Sequence, residues 1–291
     1  MIYPSAADYL AATQKRVLLF GMSGLGKTYL SNMLRGAPKE IGGGWFHYSV
    51  DYRIGTRYMN EFIADNFKRE AMKVPLLREL LMTDSVYIAS NITFDNLAPL
   101  STYLGKPGDP ARGGLPIAEY QRRQAQHRQA EVAAMLDTTR FIDRAREIYG
   151  YDNFVCDTSG SICEVVNADD PNDPVMTELS QHLLLVWIKG SEAHKAELAR
   201  RFDRAPKPIY YRPDFLSDLW TEFLQGRDPA KVDPDAFLRF GYARQLDKRQ
   251  PRYAAMANWG VTVTAEEVAR VHDPAGFDAL ITTALDRRTA A

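Results

Sequence analysis

Apolar and polar positions along the chain alternate between short hydrophobic runs and longer segments with helical spacing. Four runs of apolar, β-branched or aromatic residues stand out, Arg16–Phe20, Trp45–Val50, Asn153–Cys156 and His182–Ile188, and a fifth, Trp259–Val263, comes late. They are nearly continuous rather than strictly alternating, which predicts strands covered on both faces of a parallel sheet. Helical spacing over Lys27–Arg35, Arg57–Met72, Ile117–Tyr149, Ser191–Arg204, Asp214–Gln225 and Asp278–Arg287 predicts the helices. Strand then helix, repeated, predicts an α/β fold.

Two stretches exceed a minimal sheet of this kind. From about Tyr58 to Gly150 the chain carries Pro/Gly punctuation at Gly105–Pro110 and Gly113–Gly114, then a long polar helical pattern. This predicts a helical insert. Pro213–Arg244 predicts a helical pair, broken at Gly226–Pro229 and Asp233–Pro234, beside the sheet. The expected organisation is a core of residues 1–57 and 151–291, with a helical acceptor or cap lobe inserted over 58–150.

The strongest chemical signal is Gly21-Met-Ser-Gly-Leu-Gly-Lys27-Thr28, which satisfies G-x-x-x-x-G-K-[ST]. A strand run ends at Phe20 and a helical run begins at Lys27, the strand-loop-helix context that this phosphate loop requires. The fold expected is therefore a P-loop NTPase-type parallel sheet sandwiched by helices. Backbone N–H groups around Gly21, Ser23, Gly24 and Gly26 would converge on phosphate oxygens, reinforced by the helix N-terminus. Lys27 would reach the β- and γ-phosphates and Thr28 would take one position on Mg²⁺. No N-K-x-D-like guanine reader is present, which favours ATP. The strand expected to hold the second signature ends in one Asp rather than two adjacent carboxylates, which argues against motor and AAA-type ATPases.

In open parallel sheets ligands sit at the carboxyl ends of strands. Strand two is followed by Asp51, Arg53 and Arg57: a carboxylate that could accept a proton from a substrate hydroxyl or hold Mg²⁺-bound water, and two arginines that could clamp an anionic group. Strand three leads into Asp157-Thr-Ser159-Gly160-Ser161, where Asp157 suits either the metal side or a helix cap and the turn could offer N–H groups to a substrate. After strand four, Arg200 and Lys207, at the end of a helix and just before Pro208, suit a lid over about 198–212. A helix C-terminus also attracts cations for dipole reasons alone.

Composition removes other classes. With 36 Lys plus Arg against 37 Asp plus Glu, net charge −1, and 45% hydrophobic residues, the 291-residue chain is neither disordered nor broadly cationic. No apolar run is long enough to span a bilayer, no secretory pattern opens the chain, and two cysteines make no disulfide framework. A cytoplasmic protein without membrane contact is expected. The basic cluster Arg122, Arg123, His127 and Arg128 shares its helix with Glu119, Glu131 and Asp137 and is read as a solvated face, which disfavours nucleic-acid binding. Cys156, Cys163 and His47 are read as buried core, His47 alternatively as support for a neighbouring site group. Tyr48, Tyr52 and Tyr58 suit packing or stacking on an aromatic acceptor.

These residues together resemble the shikimate-kinase-like branch of the P-loop small-molecule and nucleoside monophosphate kinases. Besides the phosphate loop, the resemblance rests on Asp51 at the second position of a D-x-D, and on Thr158-Ser-Gly-Ser161 against T-G-G-G. It also rests on Leu198-Ala-Arg200 followed by Lys207-Pro208 against a lid L-A-R…R-P. The last match is Arg249-Gln-Pro-Arg-Tyr253-Ala-Ala-Met-Ala-Asn258 against R-x-P-L-Y-x-x-x-A-D, with Val261–Val263 as the strand that follows it. It implies Asp51 on an acceptor hydroxyl, Ser159 and Gly160 in an acceptor-binding turn, Arg249 on an acceptor carboxylate, and Asp51 on a strand next to the phosphate loop. Departures are Ser49 for the first Asp, Ser159 and Ser161 for glycines, Lys207 for the lid Arg, and a much longer insert, which argue against shikimate itself. The expected function is ATP- and Mg²⁺-dependent phosphoryl transfer to a small molecule. The alternative is a regulatory ATPase that binds a macromolecular partner through the insert.

Overall fold

The computed structural model describes residues 1–290. Burial along the strands matches their places in the sheet. β1 (Arg16–Phe20), β3 (Asn153–Asp157) and β4 (Leu184–Lys189) are buried almost end to end, whereas β2 (Trp45–Ser49) and β5 (Val261–Thr264) return to partial exposure. The sheet order is β2-β3-β1-β4-β5, all parallel, with β2 and β5 at the edges and helices on its flanks. This is the expected α/β architecture.

One expectation is corrected: β3, not β2, is the neighbour of β1, paired from Arg16↔Phe154 to Leu19↔Asp157. The His and Ser of β2 and the alternating Thr of β5 fit edge places, but composition does not say which strand lies beside β1. The register is what positions the site. Leu19 and Ser49 both stand opposite Asp157, and Phe20 stands opposite Trp187, so the carboxyl ends of four strands are level. The connection leaving β1 returns to the β2 side of the sheet and the one leaving β4 goes to the β5 side. A crevice opens where adjacent connections diverge in this way.

The chain divides into two compact units. The first comprises Met1–Val50, Val132–Ala205 and the chain from Tyr242, and contains the whole sheet. Its core includes Val17–Phe20, Leu184–Ile188, and Trp45 edge-on to Phe277 at 5.6 Å. Asp273 caps the helix Pro274–Thr289 through the Gly276 N–H, and Thr264 and Glu267 close a capping box on the short helix Ala265–Val268.

The second unit is Asp51–Glu131 with Pro206–Gly241. Phe237 gathers Tyr211, Trp220 and Phe223 around it, Trp220 at 5.0 Å. Gln124 accepts from the Tyr211 N–H and donates to the Ile209 carbonyl. Arg123 and His127 are buried, so the basic cluster is not a solvated face; only Arg122 and Arg128 are exposed. Arg123 donates to Glu119, Asn66 and the Tyr103 carbonyl, while His127 stacks on Tyr210 at 5.5 Å. Burial lowers the His127 pKa to about 4. The helix Pro75–Met82 buries none of its side chains; Leu76 is 65% and Met82 72% exposed.

Two long helices run across these divisions of the chain. Ile117–Glu147 forms nearly as its spacing predicts. The expected helical pair forms as Pro213–Leu224 and Pro234–Ala257, but the second helix continues well past Arg244, through Pro251. The Arg249–Asn258 stretch is therefore almost entirely helical.

Candidate phosphate-binding site

The Gly21–Gly26 loop joins β1 to the helix Lys27–Gly36 at the level carboxyl ends. Gly21 and Gly26 lie in the left-handed region, at φ 139° and 99°. A Cβ at Gly21 would stand 2.5 Å from the Ile188 carbonyl oxygen, and one at Gly26 2.8 Å from Val268 Cγ1, so the turn admits only glycine at either place. Gly26 is also the helix N-cap, where no side chain accepts from the first-turn amides. Lys27, 7% exposed, arches back so that Nζ donates to the Gly21 carbonyl at 2.8 Å and the Met22 carbonyl at 2.9 Å.

Thr28, on the open face of the same turn, donates its hydroxyl to Asp157 Oδ2 at 2.9 Å. The other oxygen of that buried carboxylate lies 3.3 Å from His47 Nε2. Thus β2 supplies a histidine under β3's terminal aspartate, the supporting role allowed for His47. The helix that follows, Ile162–Val165, has Ser161 at its N-cap, so Asp157 faces Thr28 rather than capping it.

The turn after Asp157 is fastened to both neighbours. The Thr158 N–H and hydroxyl both donate to the Leu19 carbonyl. The Ser159 and Ser161 hydroxyls are 3.0 Å apart and buried. Tyr253 donates its hydroxyl to the Gly160 carbonyl at 2.6 Å, and Gln250 Nε2 reaches Met22 Sδ at 3.2 Å. Arg249 donates Nε–H to Glu164 Oε1 at 3.0 Å, and Arg252 pairs with the other oxygen of the same buried carboxylate. Burial works against the Arg249 charge, yet Tyr253, Cys163 and Glu164 hold its pKa above the ordinary guanidinium value.

The first unit therefore brings together Gly21, Ser23, Gly24, Gly26, Lys27, Thr28, Asp157, Ser159, Gly160 and Arg249. Arg200 lies in the same unit, exposed and ion-paired with Glu197 one turn earlier on the helix Glu192–Arg204. That helix meets the loop through Leu198, whose Cδ2 is 3.6 Å from the Cβ position of Gly24. Asp51, Arg53, Arg57 and Lys207 belong to the second unit. Asp51 is half-buried in a helical turn, Val50–Arg53, directly after β2, rather than in a loop. Arg53 lies over the Tyr58 ring at 5.6 Å, Arg57 is exposed on the π-helical turn Ile54–Tyr58, and Lys207 is exposed beyond the helix end.

Glu164 and Gln250 escaped sequence reasoning: a lone carboxylate and a lone amide carry no spacing signal. Both cysteines are buried as expected, and burial pushes the Cys163 thiol up to about 12. Among the described residues no group of three or more His, Cys, Asp or Glu could hold a metal, and no helix is long and apolar enough to cross a membrane. No protein-family model matches the chain, and no curated protein matches its sequence.

Proposed function

We propose that the chain binds MgATP on the Gly21–Thr28 loop and transfers its terminal phosphoryl group to a small-molecule acceptor. The observation that carries this reading is the loop itself. Two glycines that no other residue can replace, a helix start without a side-chain cap and a buried ammonium converge at the carboxyl end of β1. Such convergence of N–H groups, helix dipole and lysine suits a polyphosphate.

The donor set also suits the metal. Mg²⁺ takes hard oxygen ligands and keeps several waters, so a hydroxyl and one carboxylate beside substrate phosphates are enough. Thr28 and Asp157, already joined by a hydrogen bond, supply that pair. MgATP would supply the phosphoryl group and the charge that eases its transfer. Lys27 would neutralise terminal phosphate charge, Thr28 would take a place on the metal, and Asp157, backed by His47, would hold a metal-bound water. Arg200 and Lys207 are assigned to a closing lid, Ser159 and Gly160 to acceptor contacts, and Arg53 and Arg57 to an anionic group on the acceptor. Asp51, by its position directly after β2, is assigned to the acceptor hydroxyl, from which it would take or orient the proton.

A second reading, a regulatory ATPase, is favoured by one observation: the helix Pro75–Met82 and Tyr87 leave apolar side chains open to solvent. Acceptor-stimulated ADP release separates the two. Turnover that rises with one compound from a metabolite pool, with phosphate recovered on that compound, is the result expected. Turnover indifferent to every small molecule but raised by a protein or nucleic acid would replace the kinase reading with the regulatory one.

A further inference from the structure

We propose that Arg249, aimed by Glu164, contacts the terminal phosphate of a bound nucleoside triphosphate, so that this site tells triphosphate from diphosphate. The inference rests on the nucleotide-loop reading above and assigns Arg249 a different partner from the acceptor carboxylate that the resemblance implies.

The argument begins at Gly160. Its backbone is outside the left-handed region, so the turn itself does not demand glycine there. What the missing side chain does is keep a space open. The point a Cβ would occupy lies 3.4 Å from the backbone nitrogen of Ser23, inside the phosphate loop, and 4.0 Å from Arg249 Nη1. One gap is thus flanked by a loop amide and a guanidinium, two donors of the kind that bind phosphoryl oxygens.

Both sides of that gap are held by one stretch of the helix Pro234–Ala257. Gln250 touches Met22 in the phosphate loop, and Tyr253 holds the Gly160 carbonyl. Glu164, buried completely at its side chain, takes the Nε–H of Arg249 and an Nη–H of Arg252. A carboxylate bound at Nε fixes the rotation of the planar fork, which removes most of the freedom Arg249 would otherwise lose on binding an anion. Glu164 is therefore a positioning residue. An anion in the gap would touch Ser23 and Arg249 together, and Ser23 belongs to the loop that we assign to nucleotide phosphates. This favours the nucleotide's own terminal group over an acceptor.

The test is calorimetric titration with Mg²⁺ and either ADP or the β,γ-imido analogue of ATP, on wild type, Gly160→Ala, Arg249→Lys and Glu164→Gln. The wild type is expected to prefer the analogue. Each variant should lose that preference by about tenfold or more while ADP affinity stays within about threefold, since only the contact to the terminal group is weakened. Breaking the Glu164 pair can destabilise the protein. Gly160→Ala leaves that pair intact, and its nearest contact of 3.4 Å needs only a slight shift, so this variant decides the matter if the others do not fold. An unchanged preference in folded Gly160→Ala, or equal losses for both nucleotides, overturns the Arg249 assignment and leaves the loop reading standing. A wild type that binds neither nucleotide overturns the loop reading, and the inference falls with it.

Discussion

Replacing Lys27 with Met keeps most of the stem's volume and removes the ammonium. In the protein without nucleotide, two opposing effects result. The Gly21 and Met22 carbonyls lose a charged donor that now stands at 2.8 and 2.9 Å, each bond worth about 1.5–3 kcal/mol. Against that, the charge of a buried side chain no longer has to be desolvated, a relief on the order of several kcal/mol by itself. These terms offset, so the variant is expected to fold with its stability changed by only about 1–2 kcal/mol. Nucleotide binding has no such offset. Losing one or two charge-assisted bonds to phosphate weakens binding by about 3 kcal/mol, roughly 10²-fold or more in Kd. Thermal unfolding reads this directly. At MgATP equal to about 100 times the wild-type Kd, binding stabilises wild type by about 2.7 kcal/mol, but a 100-fold weaker variant by only about 0.4 kcal/mol. For a chain of 291 residues that is a Tm rise of roughly 4 °C against less than about 1 °C. A folded Lys27→Met protein with the wild-type Tm rise would refute the reasoning.

Three further outcomes are expected. Asp51→Asn should leave MgATP affinity within a few-fold and lower phosphoryl transfer on the order of 10²-fold; weaker affinity rescued by added Mg²⁺ would instead make Asp51 a metal ligand. Trypsin should cut between Arg200 and Lys207, both exposed, more slowly when a non-hydrolysable ATP analogue and Mg²⁺ are present, and equal rates would remove the lid assignment. The third concerns His127, stacked on Tyr210 and 3.6 Å from Glu131, where desolvation by burial lowers its pKa to about 4 from an unfolded value of about 6.5. The unfolded chain binds the proton first, so this contribution to stability is complete above about pH 6.5 and falls by about 3 kcal/mol as pH drops to about 4. Urea midpoints measured across that window should decline in wild type and much less in His127→Gln; parallel declines would contradict the burial argument.

Local features were legible in the sequence where one side chain decides them. β1 occupies the predicted residues, the loop glycines adopt the positive φ values that only glycine accepts readily, and Asp157 ends β3 facing Thr28. Strand order was not legible, because it follows from which connection crosses which strand; the polar residues of β2 and β5 suit edges but do not say which central strand neighbours which. The strand expected to begin at His182 starts at Leu184 because Asp173 and Pro174 nucleate a helix that ends on His182. The basic cluster was misread by weighing charge alone. Tyr120, Arg123, Gln124, His127, Ala130 and Glu131 recur at helical spacing and are all buried, so periodicity was the better guide there. The Glu164–Arg249 pair joins residues 85 apart with no motif to link them, and only the fold brings them together.

The central claim, that the Gly21–Thr28 loop holds a nucleotide's phosphates, is tested most directly by titrating the wild-type protein with ATP in the presence and absence of Mg²⁺. Saturable binding of one ATP per chain, weakened by removing Mg²⁺ and displaced by ADP but not by adenosine, is the result expected. No binding at millimolar MgATP, or binding that adenosine displaces as well as ADP does, would contradict it.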